Sequence, residues 1–110
     1  MDNQAYLLHV QDAIAQIAAY TKSGEAAFRE NRQVQDAVIR NFEIIGEAVK
    51  HVSIELRSMH PEIPWKQIAG MRDEMIHEYF GVDLSIVWDT VQNDLPKLKQ
   101  TVDQLLAEAK

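Results

Sequence analysis

Apolar side chains recur at steps of three and four residues along most of this 110-residue chain. The first such series is Leu7, Val10, Ile14, Ile17 and Ala18. This spacing predicts an amphipathic helix over residues 3–20, and Thr21-Lys22-Ser23-Gly24 is expected to end it. Only 4 Gly and 3 Pro interrupt the chain. No segment alternates at period two without fitting a helix better, so no strands are expected.

The longest helical stretch is predicted over residues 25–59, with a possible break near residues 29–31. Its apolar stripe consists of Val34, Val38, Phe42, Ile45, Val49, Val52 and Leu56. Gly46 lies within this stretch, where glycine costs about 1 kcal/mol relative to alanine. We therefore expect another backbone segment to cross closely at Gly46. The two prolines of Pro61-Glu62-Ile63-Pro64 then predict an extended connection.

The C-terminal half is predicted to contain a short helical turn over 65–69 and a helix from Met71 to Phe80, ended by Gly81. Asp83 is expected to cap the next helix. Asp94 and Pro96 suit either a new helix or a kink. The predicted fold is therefore all-α, an antiparallel bundle of four to five helices that forms a single domain over residues 1–110.

Composition excludes several classes of protein. Cysteine is absent, which excludes a disulfide framework and a thiolate metal site. No apolar run approaches the ~18 residues that span a bilayer, and the first residues lack the basic region of a secretory signal, so a cytoplasmic location is expected. The net charge of −6 argues against a large basic surface for duplex nucleic acid. Any RNA contact should be local, through such residues as Arg40, Lys50 or Lys66.

Arg72, His77 and Tyr79 are the candidate functional residues. They combine a permanent cation, a side chain that titrates near neutral pH and a phenol. These groups could cleave an RNA phosphodiester without a metal or cofactor. The 2′-hydroxyl would attack the adjacent phosphate, with His77 moving protons and Arg72 stabilising charge on the phosphate oxygens. Asp73, four residues before His77, could fix the imidazole tautomer in a supporting role.

Helix geometry makes one subunit a poor site. On a single helix, Arg72 and Tyr79 share a face, whereas the Cβ atoms of Arg72 and His77 lie about 140° apart around the axis. Two chains facing each other across a two-fold axis would bring the two groups into one cleft. The prediction is thus a symmetric homodimer with the catalytic cleft at its interface.

Arg72, four residues, His77, one residue and Tyr79 reproduce the Arg-x4-His-x-Tyr motif of the HEPN superfamily. Further blocks resemble its short HepT-like toxin branch in the same order. These blocks are Phe42-Glu43-Ile44-Ile45-Gly46-Glu47-Ala48, Pro61-Glu62-Ile63-Pro64-Trp65, Ile68-Ala69-Gly70-Met71-Arg72 and Val87-Trp88 through Asp94-Leu95-Pro96. The resemblance therefore covers nearly the whole chain.

The resemblance implies a dimeric, all-helical endoribonuclease that serves as the toxin of a two-gene toxin–antitoxin module. It also implies an antitoxin partner, a small nucleotidyltransferase of the MntA type. In this family the partner neutralises the toxin by AMPylation of the motif tyrosine, which corresponds to Tyr79. An added phosphate would occupy Arg72 and block RNA by charge and bulk.

Two alternatives remain open. One is a noncatalytic helical dimer that docks a nucleotidyltransferase, with Arg72 and His77 donating interface hydrogen bonds. The other is a carboxylate-bridged di-metal bundle, because Glu74-x-x-His77 has the ligand spacing of such proteins and Glu43 or Glu47 could add oxygens. Arg72 beside that site would repel a metal. No role is assigned to His9, His51, His60 or Trp65.

Overall fold

The chain folds as a set of helices joined by short turns. The computed structural model describes residues 2–77 and 81–108, and at His77 it describes the backbone alone. The α-helices are α1 (Asn3–Tyr20), α2 (Glu25–Glu30), α3 (Arg32–Lys50), α4 (Ile54–Met59), α5 (Trp65–Ala69), α6 (Met71–Met75), α7 (Leu84–Asp89) and α8 (Leu95–Glu108). Strands β1 (Ile76–His77) and β2 (Gly81–Val82) lie between α6 and α7, and a π-helical turn (Thr90–Asp94) joins α7 to α8.

The all-α class is confirmed, but the described helices are more numerous and shorter than predicted. The predicted stretch over 25–59 is three helices, because polar side chains cap new helical starts within it. The break expected near residues 29–31 is confirmed at Asn31, and a second break, which was not predicted, falls between Lys50 and Ile54. Asn31 has an extended backbone and accepts a hydrogen bond from the Val34 amide at 3.1 Å, which starts α3. Ser53 likewise accepts from the Leu56 amide and starts α4. These caps therefore divide the apolar stripe over residues 34–56, which is continuous in the sequence, between α3 and α4.

The core lies where α1 packs against α3 and α8. The predicted face of α1 is confirmed at Leu7, Val10, Ile14 and Ile17, which are buried, whereas Ala18 is exposed. The same cluster contains Val38, Phe42, Ile45, Val49, Val52, Leu98, Val102 and Leu105. Burial of a large apolar side chain contributes about 1.5–3 kcal/mol, so this cluster supplies the main favourable term. No described helix is long and apolar enough to cross a membrane.

The close backbone approach predicted at Gly46 is confirmed. A Cβ atom placed on Gly46 would lie 2.8 Å from the carbonyl oxygen of Ala69. A side chain at this position would therefore collide with the end of α5. Glycine lets α5 and the following α6 lie directly against α3, which fixes where Arg72 meets that helix.

The predicted helix from Met71 to Phe80 is confirmed at Met71–Met75 and wrong at Ile76 and His77, and its last part, residues 78–80, lies outside the described residues. α6 ends at Met75, and Ile76 has an extended backbone with φ −118° and ψ 120°. Antiparallel pairing of Ile76 with Val82 and of His77 with Gly81 follows, so a strand pair exists where none was expected. Gly81, with φ 76°, is part of this pairing and does not end a helix.

Contacts made by Met75 explain this early helix end. The Met75 side chain is fully buried, and its carbonyl accepts a hydrogen bond from the Asp83 amide at 2.7 Å. In a continuing helix that carbonyl would bond to the amide of residue 79. The long-range bond therefore replaces helix propagation, a choice that local periodicity does not encode.

The C-terminal helices follow their predicted caps more closely. Asp83 caps α7, as expected, by accepting from the Ile86 amide at 3.1 Å. At Asp94 and Pro96 the chain neither restarts nor breaks, because the π-helical turn carries it directly into α8, with the Leu95 amide donating to the Thr90 carbonyl. In a regular α-helix Pro96 would lack an amide hydrogen and its ring would crowd the carbonyl four residues earlier, and the π-helical turn falls directly before this residue.

Candidate active site

Arg72 lies in an open cleft between α3 and the α5–α6 segment. The cleft has a volume of about 340 Å³ and is lined by Glu43, Gly46, Glu47, Lys50, Ala69, Arg72 and Asp73. The side chain of Arg72 is 41% exposed. The short α6 starts directly after Gly70, so the backbone contact between Gly46 and Ala69 determines which part of α3 Arg72 reaches. A solvent-borne anion could therefore approach this guanidinium.

Glu43 of α3 is the main partner of Arg72. Its Oε2 atom lies 3.0 Å from Arg72 Nε, while its other carboxylate oxygen contacts Nη1 of Arg40. Arg72 Nε is shielded from solvent, and within residues 2–77 and 81–108 no acceptor meets the hydrogen-bond geometry of its N–H. The short Arg72–Glu43 distance is thus an attraction of charges without a well-aimed hydrogen bond. Arg40 and Arg72 therefore flank the Glu43 carboxylate on its two sides.

Asp73 lies beside Arg72, and helix α6 does not bring it next to His77. Its side chain is 82% exposed, and Oδ1 lies 3.7 Å from Arg72 Nη1. The expected four-residue helical spacing from Asp73 to His77 does not exist, because α6 ends at Met75. The helical geometry on which the tautomer-fixing hydrogen bond was predicted is therefore absent, and the contact itself stays a prediction.

The backbone of His77 lies in β1, opposite Gly81. Its side chain and all of Tyr79 lie outside the described residues. The proposal that the Arg72 and His77 side chains lie close together therefore stays a prediction. Since the two residues do not share a helix, the angle of about 140° computed for an ideal helix no longer separates them. That angle also no longer argues for a second subunit.

The cleft does not carry the basic strip that the sequence suggested. Three carboxylates, those of Glu43, Glu47 and Asp73, line the cleft with the two cations Lys50 and Arg72. Lys50 forms an ion pair with Glu47 at 3.2 Å. Arg40, a second candidate for the strip, contacts Glu43, whereas Lys66 is exposed. RNA would meet a local cation in an otherwise acidic cleft.

The di-metal alternative loses its helical spacing. Glu74 lies in α6 and His77 in β1, so the two residues are not one turn apart on a helix. Within the part of the chain that the structure describes, no cluster of three or more histidine or acidic side chains is arranged for a metal ion. Glu43 and Glu47, the other candidates, contact Arg40 and Lys50 respectively.

The contact between Glu43 and Arg72 is the feature of the cleft that the sequence did not predict. Glu43 was considered only as a possible oxygen ligand in the di-metal alternative, whereas the structure places it against Arg72. The signal lay in Gly46, one helical turn further along α3, which predicted a crossing backbone without naming the segment that crosses. Identification of that segment as residues 68–70 would have brought Arg72 to Glu43.

The fold and the cleft define a small all-α protein with a solvent-accessible arginine two residues into a short helix and a histidine five residues later. The chain belongs to the HepT-like ribonuclease family, whose family model, described as ribonuclease HepT-like, matches residues 10–105. The HEPN resemblance seen in the motif and its flanking blocks is thereby confirmed.

Individual relatives support this membership. A protein of Thermococcus cleftensis, named a probable ribonuclease HepT, is 44% identical over 91% of this chain and 92% of its own length. A Methanocaldococcus jannaschii protein, named a gamma-glutamylcyclotransferase and candidate RNase, is 45% identical over 97% of this chain. This chain spans only 49% of that relative's length. No solved structure matches the chain significantly.

Proposed function

We propose that this protein is a metal-independent endoribonuclease that acts as the toxin of a two-gene toxin–antitoxin module. The observation that carries the proposal is the open placement of Arg72 in a member of the HepT-like ribonuclease family, with His77 following at the motif spacing. The names of the relatives, which refer to ribonuclease activity, support the same class of reaction. The working form is a symmetric homodimer whose two chains share the cleft, as the family resemblance implies.

The proposed reaction uses the RNA strand's own nucleophile. The 2′-oxygen forms a bond to the adjacent phosphorus while the bond from phosphorus to the 5′-oxygen breaks. His77 accepts the 2′-hydroxyl proton, and its imidazolium form returns a proton to the departing 5′-oxygen. Arg72 stabilises negative charge on the non-bridging oxygens. The products are a 2′,3′-cyclic phosphate and a 5′-hydroxyl, and DNA is inert because it lacks the 2′-hydroxyl.

Binding of RNA is proposed to depend on few phosphate contacts. The net charge of −6 and the carboxylates around Arg72 disfavour a long electrostatic footprint. A short or single-stranded RNA segment that presents one phosphate to Arg72 fits these charges better than a duplex does. The dependence of binding on salt should accordingly be shallow.

The test is cleavage of single-stranded RNA by the purified protein in EDTA. We expect cyclic-phosphate ends, no cleavage of the matching DNA, and a loss of about 100-fold or more for Arg72→Ala and for His77→Ala. Both variants should retain the wild-type melting temperature and the wild-type mass by light scattering. The competing function is a noncatalytic dimer that docks a nucleotidyltransferase. Wild-type protein that leaves RNA intact, or activity that persists in both variants, would favour this competitor.

A further inference from the structure

We infer that Glu43 is a positioning residue that holds the Arg72 guanidinium in the orientation required at the reacting phosphate. This inference rests on the proposed ribonuclease function. Its starting point is the distance of 3.0 Å between Glu43 Oε2 and Arg72 Nε, across two separate helices. A long arginine side chain otherwise samples many rotamers, and ordering it in advance removes that entropic cost from the reaction.

The backbone beneath Glu43 is held in place. Gly46 lies one helical turn after Glu43, and its contact with the Ala69 carbonyl leaves no room for even a methyl group. Helix α3 and the α5–α6 segment are therefore in direct backbone contact beside the pair. The separation of the Glu43 and Arg72 backbones is therefore set by packing, which keeps the two side chains within reach of each other.

The carboxylate itself is held from its other side. Arg40, one turn before Glu43 on α3, contacts Oε1 through Nη1, which leaves Oε2 toward Arg72. Asp73 is a poorer candidate for positioning, because it is 82% exposed and lies 3.7 Å from Arg72 Nη1. Glu43 is thus the carboxylate best placed to orient the guanidinium.

The contact also selects which donors of Arg72 face the substrate. A guanidinium carries five N–H donors in a planar fork. The exposed Asp73 carboxylate lies 3.7 Å from Nη1, beyond hydrogen-bond distance, so attraction of Glu43 at the Nε side leaves the Nη donors available to two oxygens of a phosphate. A phosphate bound in this way would receive charge stabilisation from Arg72 without displacing Glu43.

Positioning and simple charge repulsion predict opposite effects for removal of the Glu43 charge. A carboxylate near a polyanion weakens RNA binding, so Glu43→Gln should leave KM unchanged or lower it. Loss of positioning should reduce kcat about 10- to 100-fold, because a small misplacement of a catalytic group has an effect of this size. A residue with a purely structural role would not separate kcat from KM in this way.

The experiment uses the full chain and a single-stranded RNA oligonucleotide in EDTA, with Glu43→Gln compared with wild type. Asp36→Asn is the matched control, because it removes a carboxylate from an exposed ion pair with Arg32 on the same helix. The control should stay within twofold of wild type in both kcat and KM. Melting temperatures show whether either variant has lost its fold.

A second measurement does not need activity. The Arg72 Nε–H correlation in ¹⁵N NMR can be assigned by its loss in Arg72→Lys. Because the Glu43 charge lies 3.0 Å from this nitrogen, we expect the chemical shift of the correlation to change in Glu43→Gln and to stay unchanged in Asp36→Asn. An unchanged correlation in folded Glu43→Gln protein would overturn the positioning role.

The possible outcomes distinguish failure of this inference from failure of the proposed ribonuclease function. Arg72-dependent cleavage by wild type, with Glu43→Gln within twofold in kcat, overturns the role of Glu43 and leaves the ribonuclease intact. Cleavage that does not depend on Arg72 overturns the proposed mechanism and with it the catalytic meaning of Glu43. A drop in kcat at equal or lower KM, together with the NMR change, supports the inference.

Discussion

Arg72 faces Glu43 only because a glycine on α3 lets another helix approach. The exposed ion pair between them contributes little to stability by itself, since surface pairs are worth about 0–1 kcal/mol. The steric contact at Gly46 is a different kind of constraint, because backbone atoms cannot rotate away as side chains do. Gly46, a residue with no side chain, thus sets the geometry of the cleft.

Substitution of Gly46 by Ala should destabilise the protein. The new methyl group would lie 2.8 Å from the Ala69 carbonyl oxygen, and overpacking of this kind costs about 1–3 kcal/mol. The gain in helix propensity, about 1 kcal/mol, offsets only part of that. Urea unfolding should show a lower free energy of unfolding than wild type.

The matched control for this substitution is Gly70→Ala. A Cβ at Gly70 would meet its nearest heavy atom, the Lys66 carbonyl oxygen, at the ordinary distance of 3.6 Å. Its free energy of unfolding should stay within about 0.5 kcal/mol of wild type. Equal stability of the two alanine variants would mean that the close approach at Gly46 is not a real constraint.

At the scale of elements, sequence patterns predicted the helices whose apolar spacing and caps agree. The helix over residues 3–20, the short helix over 65–69 and the cap at Asp83 are confirmed. The stretch over 71–80 was predicted as one helix because Ile76 and His77 fit the helical spacing, whereas the helix ends at Met75 and these two residues form a strand. A hydrogen bond from Asp83 to Met75 decided between the two, and it joins residues that no local pattern connects.

The candidate site was predicted less well than the fold for the same reason. The motif spacing identified Arg72, and the structure places it in an open cleft. The sequence did not show that Glu43 lies against it, because this contact depends on how two helices cross. The arrangement of Arg72 with His77 and Tyr79 stays a prediction, and the structure removes the single-helix geometry on which it was first argued.

Asp103 ties α8 to α1 and gives this contact a pH dependence. Lys99 Nζ donates to Oδ2 at 2.7 Å and Gln11 Nε2 to Oδ1 at 2.9 Å. These two hydrogen bonds, that from Lys99 first, lower the pKa of the Asp103 carboxyl. A lowered pKa in the folded state stabilises the fold above the unfolded pKa, about 3.9 for Asp, and the gain is lost as pH falls through the folded pKa.

Asp103→Asn should therefore be less stable than wild type at pH 7, and the difference should shrink as the pH falls below about 4. Urea unfolding of both proteins from pH 7 to pH 2.5 measures this. The Lys99→Met background is the control, since it removes the larger cause of the pKa shift, and there the effect of Asp103→Asn should be smaller. A stability difference that is constant with pH would argue against the assignment.

For the whole molecule, the acidic charge and the family membership have to be reconciled. The net charge is −6, yet the proposed substrate is a polyanion. In the proposed mechanism a single phosphate contact at Arg72, ordered beforehand by Glu43, would take the place of a long basic surface. One phosphate added at Tyr79 would then be enough to block it.

Control by the proposed antitoxin should act at Tyr79. Co-expression with an active MntA-like nucleotidyltransferase should add one or more AMP groups to the wild-type chain and abolish RNA cleavage. Tyr79→Phe should remain active under the same conditions. Intact mass spectrometry and the cleavage assay measure the two effects together.

The control for this prediction is a nucleotidyltransferase without catalytic activity, which should leave both chains unmodified. Neutralisation of Tyr79→Phe by the active enzyme, with no change in mass, would indicate inhibition by docking. That result would leave the ribonuclease proposal standing and remove only its regulation.

The π-helical turn over residues 90–94 holds one residue more than an ordinary helical turn, because its Leu95-to-Thr90 hydrogen bond spans five residues instead of four. Since the wider turn absorbs that extra residue, deletion of one residue there should let it close as an ordinary α-helix and leave Leu98, Val102 and Leu105 in the core. The same deletion within the regular part of α8 has no such slack, and every residue beyond it would rotate by about 100°. Evolution could therefore shorten the chain at this turn at lower cost than in the helix that follows it.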